Sequence, residues 1–244
     1  MLNGLGPRGR AAVVFCASAV AIAGTARLGW WQLDRAAQKR ALQAAIDARA
    51  ELPPLAAAEL ATTETALAPQ LQRRVNLRGH WLSERTVFLD NRPMDGRVGF
   101  YVVTPLQLEG RPEAVLVQRG WVPRDAQTRE SLPAVDTGGA DVVEIAGRVI
   151  AQPSRLYELG AAASGPIRQN LAPAAYAAET GLPLLPLTVL QLQGADSLRR
   201  DWPAPELGLQ KHYGYAFQWF ALSALLTGLY VWFQLIRPRR SRTQ

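Results

Sequence analysis

In the stretch HYGYAFQWF, Tyr215, Ala216 and Trp219 follow His212 by three, four and seven residues. At about 100° per residue, that spacing sets all four on one face of a helix. Gln218 lies further round. An imidazole, a small residue and flat aromatic rings together could hold a planar apolar cofactor. Haem has the matching chemistry: its iron accepts an axial histidine nitrogen, and its propionates take cationic or hydrogen-bonding partners. Lys211 and exposed arginines elsewhere could supply the cations. The same residues also fit a second reading, an interfacial belt in which aromatics and a polar-tipped histidine sit among lipid headgroups. The residue pattern alone leaves both open.

Little else in the chain could do chemistry. The only other histidine is His80, in RGHW, which reads as a strand histidine with one face exposed. One cysteine, Cys16, lies inside an apolar run and reads as a small lipid-facing side chain. Two histidines so placed do not build a three-ligand zinc site. No GxSxG motif occurs, and SGPIRQN at Ser164–Asn170 reads as a loop. GLGPRGR has glycines, but neither the preceding strand nor the Lys-Ser/Thr of a phosphate loop. No catalytic constellation emerges, so the chain is expected not to be an enzyme.

The element that carries His212 is an apolar run. No charge occurs over the 24 residues from Tyr213 to Ile236. A helix of that length rises ~36 Å, enough for a ~30 Å hydrocarbon core. Trp219 and Trp232 lie toward its two ends, and Arg237, Arg239 and Arg240 follow. A second run, Ala11–Ala26, holds 16 uncharged residues after Arg8 and Arg10. If Arg27 snorkels, the span extends to Trp30 and Trp31. Those two tryptophans would anchor its outer end and favour a retained helix. The small-residue pattern at Ala21–Ala23 also fits a cleaved signal peptide.

The formal net charge is +7, and the sequence pI is about 10.2. The excess lies in Arg8, Arg10, Arg27, Arg237, Arg239, Arg240 and Arg242, beside the apolar runs; the stretch between is formally neutral. That distribution argues against nucleic-acid binding, which needs a basic face on the folded domain. It places both basic ends in the cytoplasm and the middle of the chain outside. The lipid bilayer is then a partner.

Between the spans, Gln32–Leu52 lacks Pro and Gly and reads as a solvated continuation of the first helix. Leu52–Gln70 is rich in Pro and Ala and reads as a linker. From Leu71, five segments rich in Val, Phe, Tyr and Trp alternate with turn signals at Met94-Asp95-Gly96, Glu109-Gly110 and Asp136-Thr137-Gly138-Gly139. They suggest an antiparallel meander, as a small sheet or partly closed barrel. Ala172–Pro183 reads as a short helix ended by Gly181, and LLPLTVLQL as a last strand.

The expected fold is therefore an α+β membrane protein: two transmembrane helices flanking an extracytoplasmic, mainly antiparallel β domain with short helices. The boundaries are 1–10 for a cytoplasmic N-terminus, 11–31 for the first span and 32–70 for helical continuation and linker. Residues 71–211 form the β-rich domain, 213–236 the second span and 237–244 a basic cytoplasmic tail. Composition rich in Ala and Arg suggests a bacterial inner membrane, with the domain in the periplasm.

Three blocks carry a family resemblance. LGWWQLDRAAQKRAL, Leu28–Leu42, looks like a Gly-x-Trp-Gln-Leu-x-Arg-x-x-x-Lys block after a first membrane helix. LDNRPMDGRVGFYVVTPL with VLVQRGWVPR, Leu89–Leu106 and Val115–Arg124, is the second, and HYGYAFQWFAL the third. Together and in this order they resemble the surfeit locus protein 1 family, assembly factors for cytochrome c oxidase. Where members often have Gly-Trp-Pro, this chain has Asp201-Trp202-Pro203.

The resemblance implies two retained membrane helices and a role in maturing the haem a-containing subunit of the oxidase. It implies haem a as cofactor, bound transiently, with His212 as the axial ligand of its iron. The oxidase haem-bearing subunit and the haem a synthesis machinery are the implied partners. On this reading Tyr215 and Trp219 wall the ring, and Gln218 bonds a haem substituent or a partner helix. Trp30 and Trp31 form the opposite wall, while Arg92, Arg119 and Trp121 are candidates for the domain surface over the site. Two alternatives stand beside these. Arg119-Gly120-Trp121 could instead pin a turn between strands. The whole protein could be a haem-free scaffold that stabilises an oxidase assembly intermediate.

Overall fold

Helix-favouring residues with no internal proline carry the first helix, α1, from Pro7 to Ala50. It thus runs through the apolar stretch and on past Gln32. The computed structural model describes residues 6–125, 132–133, 135, 141–157, 164–203 and 208–237. The basic tail after Arg237 and the expected turn at 136–139 lie outside them. The chain divides into two compact units, Met1–Ala45 with Ala204–Gln244, and Ile46–Pro203.

The first unit pairs α1 with the C-terminal helix. After the short helices described below, α4 spans Leu209–Tyr230, and Val231–Ile236 continues it as a wider π-helical stretch. The second helix therefore starts four residues before the expected 213 and takes in His212. The two helices are long and apolar enough to cross a membrane, with mean hydropathies of 1.8 and 1.6 over their most apolar stretches. Large apolar side chains such as Val20 and Phe217 are exposed along them, as is Cys16.

The helices run antiparallel. Phe15 meets Tyr230 at 6.1 Å between ring centroids, Ser223 Oγ donates to the Ile22 carbonyl at 3.2 Å, and Gly29 faces the Phe220 ring. Residue numbers rise on one helix as they fall on the other. The buried positions of α1, Gly29 and Ala36, are seven residues apart, the repeat expected where two helices pack along a seam.

The second unit is built on seven strands. They are β1 Arg74–Trp81, β2 Val87–Met94, β3 Arg97–Leu108, β4 Ala114–Pro123, β5 Val143–Ile150, β6 Ile167–Arg168 and β7 Leu184–Gln191. The helices α2, Glu64–Leu67, and α3, Pro173–Thr180, accompany them. Gly181 ends α3 in the left-handed region, at φ 71°. Asp95 and Gly96 both take positive φ and close β2 onto β3 as a two-residue hairpin.

The strand order is β1-β5-β7-β4-β3-β2-β6, and β1 also pairs with β3. The hydrogen bonding therefore closes into a ring, β1-β5-β7-β4-β3 and back to β1. The 12-residue β3 makes this closure workable: its last three residues pair with β1, while residues nearer its start pair with β2. A simple meander is not what forms. β4–β7 and β2–β6 are parallel. Parallel neighbours need a crossover, and β5, β6 and α3 lie in the chain between β4 and β7. β6 falls in the stretch read from sequence as a loop.

Alternation along the strands sorts the core. Val115 and Val117 of β4 join Val75, Leu77, Leu187 and Val189 in one cluster, while Leu116 and Trp121 pack in a second with Leu89 and Tyr176. The first cluster draws on all five strands of the ring and fills its interior. Leu55, Leu60, Ala61 and Leu67 belong to it as well. Residues 52–70 are thus part of the domain, which corrects their reading as a linker. The Leu55 N–H donates to Arg74 O at 2.9 Å and Asn76 N–H to Leu55 O at 3.1 Å. Gln70 donates to Glu59 O and accepts from the Ala61 N–H, folding the segment on itself.

Two expectations follow. At Gly99 a Cβ would lie 2.2 Å from the Val122 carbonyl and 2.6 Å from the Trp121 ring. Gly99→Ala should cost about 1–3 kcal/mol as forced overpacking, read as a lowered thermal midpoint of the detergent-solubilised chain.

The second concerns Arg168, which is buried and donates to both carboxylate oxygens of Glu179, at 2.8 and 3.0 Å. These bonds hold the Glu179 carboxyl below its ordinary value near 4.5. A depressed carboxyl adds stability above the unfolded-state value and loses it as pH falls through the folded-state value. Glu179→Gln should melt below wild type at neutral pH, and the gap should close as the pH drops below about 4.5.

Candidate functional site

α4 opens at Gly208, whose φ of 61° turns the chain into the helix without a side-chain cap. His212 therefore sits in the first turns of α4. Its Nδ1 is 2.7 Å from Gln32 Oε1 of α1, so two helices 180 residues apart in sequence meet at this bond. One helical turn before His212, Gly208 lies beside Lys39 and Lys211. One residue beyond it, the Tyr213 ring carries the Arg40 guanidinium at 5.6 Å.

The residues picked out by spacing divide into two groups. His212 and Trp219 are half-buried, whereas Tyr215, at 53% relative exposure, and Gln218 face outward. Ala216 is 2% exposed, so the expected gap between rings is not open. It lies between His212 and Phe220 on the i, i+4, i+8 row, and both of those residues reach α1.

Trp30 and Trp31 are exposed, at 65% and 48%. Trp30 packs edge-on against Phe220, at 5.9 Å and 86°, rather than against Trp219. Trp31 carries the Arg35 guanidinium at 5.6 Å. Gln32 and Phe220 are thus the site residues that spacing missed. The row 212, 216, 220 would have found Phe220. Gln32 is the first amide side chain after the apolar run.

The expected domain-surface residues are not on a surface. Arg119, Arg92 and Trp121 are 3%, 2% and 1% exposed. Arg119 lies within β4 rather than at a turn. It pairs with Asp196 at 3.1 Å, and its guanidinium stacks on Trp81 at 4.5 Å. Arg92 donates to Gln169 O and Ser154 Oγ and stacks on Tyr101 at 5.4 Å. Burial pushes the Arg92 guanidinium below its ordinary value and the Tyr101 hydroxyl above its own. Trp121 donates its indole N–H to Arg92 O at 2.7 Å. These residues build the domain core. The strands present apolar faces to both sides of β4, so each arginine there is sealed in with an aromatic ring or a carboxylate.

His80 takes an outward position in β1, whose odd positions from Val75 to Trp81 face inward. Trp202 of the Asp-Trp-Pro segment packs edge-on with Tyr101 at 5.2 Å and donates to Gln191 O at 2.7 Å.

Among the described residues no group of three or more His, Cys, Asp or Glu converges to hold a metal ion. His212 offers a single nitrogen. That donor set suits a metal that brings its own equatorial ligands, as a porphyrin iron does.

A comparison of the sequence with protein families matches the SURF1 family over residues 19–224. Among curated proteins, the chain is 28% identical over 221 residues to an uncharacterized SURF1-like protein of Mycobacterium bovis, covering 86% of this chain and 78% of that one. It is 29% identical over 104 residues to the cytochrome oxidase assembly protein SHY1 of Saccharomyces cerevisiae, covering 43% and 26%. A SURF1-like protein of Drosophila melanogaster is 31% identical over 122 residues, covering 43% and 40%. The match thus spans about a quarter of the yeast relative and two-fifths of the fly one.

Part-buried Asp196 bridges Arg119 and Arg200. Asp196→Ala should remove the carboxylate partner of the buried Arg119 and the part-buried Arg200 and cost about 3–5 kcal/mol. The loss would be read as a large fall in thermal midpoint.

Proposed function

The chain belongs to the SURF1 family, and on that premise we propose that it is a membrane-anchored assembly factor for cytochrome c oxidase. It binds haem a at His212 and assists its insertion into the haem-bearing subunit, without catalysing a reaction itself. The yeast relative's name, a cytochrome oxidase assembly protein, supports the pathway. The single observation that carries the site is His212: a half-buried imidazole with Nδ1 engaged by Gln32, flanked by outward-facing rings.

Haem a, when bound, supplies an iron that takes one axial nitrogen. The chain's own residues do the rest. Gln32 and the α1 seam fix the imidazole. Tyr215, Trp219 and Trp30 offer apolar ring surface. Gln218 faces outward, where it can meet a haem substituent or a partner helix. Lys39 and Lys211 are the cations nearest the start of α4.

In this reading the two apolar helices span a bacterial inner membrane. Positive-inside bias places Arg8, Arg10 and the C-terminal arginines in the cytoplasm and the sheet domain in the periplasm. The antiparallel pairing supports a retained first helix, because Phe15 and Ile22, which signal cleavage near Ala23 would remove, contact α4. The oxidase haem-bearing subunit receives the cofactor, and the haem a synthesis machinery supplies it.

The test is purification from cells that make haem a. Wild type should carry stoichiometric haem by its absorption spectrum, and His212→Ala should lose most of it while keeping the same thermal midpoint. An absence of haem in both would overturn the reading and leave a haem-free scaffold.

A further inference from the structure

The Nδ1–Gln32 hydrogen bond has a chemical consequence at the other ring nitrogen. We propose that Gln32 is a positioning residue that locks His212 as the neutral Nδ1–H tautomer and so presents Nε2 as the metal-ligating atom. The inference rests on the proposed haem site for the identity of the metal, but not for the tautomer.

The bond is 2.7 Å long and runs between two part-buried side chains on different helices of one unit. A side-chain carbonyl oxygen only accepts, so the imidazole must donate. In the neutral ring with the proton on Nδ1, the lone pair is on Nε2. Free imidazole side chains in water favour the opposite tautomer, with the proton on Nε2. The acceptor therefore has to be held in place, and the helix seam does this. Gly29, three residues before Gln32, is in close approach to Phe220, and a Cβ there would lie 2.8 Å from the ring. Ala36, four residues after Gln32, is fully buried. These two positions bracket Gln32 on the packed side of α1.

The chemical nature of the acceptor matters as well. Metal-bound histidines commonly donate their second N–H to a carboxylate or a carbonyl, and the partner sets ligand basicity. A carboxylate would pull the Nδ1 proton strongly and make Nε2 a stronger donor to ferric iron. A neutral amide pulls less. Gln32 thus fixes the direction of the lone pair while leaving the ligand of moderate strength, which suits a protein that passes its cofactor on.

The chain has only two histidines, so nitrogen NMR can read the tautomer directly. Full-length chain labelled with ¹⁵N-histidine is placed in lipid nanodiscs without haem at pH 8, with His212→Ala to assign the signal. Wild type should show the Nδ1–H pattern for residue 212. Gln32→Leu should move it toward Nε2–H, and Gln32→Glu should restore Nδ1–H. Helical circular dichroism confirms that each variant keeps its helices. A second arm adds ferric haemin and measures the reduction potential, which should rise in Gln32→Leu and fall in Gln32→Glu.

An Nε2–H pattern in wild type, or a tautomer unmoved by Gln32→Leu, overturns the inference, even if haem binds through His212. If the tautomers behave as expected but no variant binds haem, the lock stands and the haem reading fails.

Discussion

A Cβ on the α1 backbone at Gly29 would lie 2.8 Å from the ring of Phe220, and the helical unit is packed around that close approach. A side chain there would force the Phe220 ring to shift from its place against α1. The contacts that follow along the seam are individually small: Ser223 on the Ile22 carbonyl, Trp30 edge-on to Phe220, and Arg40 over Tyr213. In lipid, helix association gains little from the hydrophobic effect and rests on close packing and interhelical hydrogen bonds. The small residues Gly29 and Ala36 on this side of α1 therefore flank the Gln32–His212 bond within the packed seam.

The sheet unit solves the opposite problem. It buries arginines in a core otherwise made of Val, Leu and aromatic side chains, and a buried charge needs a partner. Arg119 has Asp196 and Trp81, and Arg168 has Glu179 and Tyr176; nearer the surface, the half-exposed Arg199, over Trp121, has Asp95 and Asp201. The two aspartates hold the Arg199 guanidinium above its ordinary value. Ring closure through the β1–β3 pairing removes most open strand edges. The plug at Leu55–Leu67 covers apolar side chains of the interior. What looked like binding surface in the sequence is the internal bracing of this domain.

The features that sequence exposed were the local ones. β-favouring composition between turn signals marked β1 to β5 and β7, the Asp-Gly pair marked the β2–β3 hairpin, and uncharged length marked both long helices. The features it hid depend on partners distant in sequence. Parallel pairing of β4 with β7 is encoded in neither strand alone. The leucines of residues 52–70 are too widely spaced, among Pro and Ala, to show a period, and only the ring interior gives them a place. At the site, the rarity of histidine singled out His212. Helix spacing set 212, 215, 216 and 219 on one face, and the position of α1 packs 212, 216 and 220 against it instead. Arg119 was misplaced because its charge suggested exposure, whereas its place within β4 buries it.

That choice of face sharpens what the site can be. Were Tyr215 and Trp219 the packed residues, His212 would point along a closed seam and serve packing alone. Because Ala216 and Phe220 take the seam instead, Tyr215 and Gln218 stay outward, and the imidazole lies at the boundary between packed and open faces. One ring nitrogen is spent on the neighbouring helix, and the other is left for chemistry. A lone nitrogen ligand is a poor trap for a bare ion, which wants several donors. It is a sufficient handle for a macrocyclic iron complex that arrives with four equatorial nitrogens of its own. A single coordinate bond of moderate strength, backed by exposed rings rather than an enclosed pocket, is also readily exchanged. On the proposed haem reading, such a site has the physical character of a hand-over point rather than of a permanent cofactor pocket.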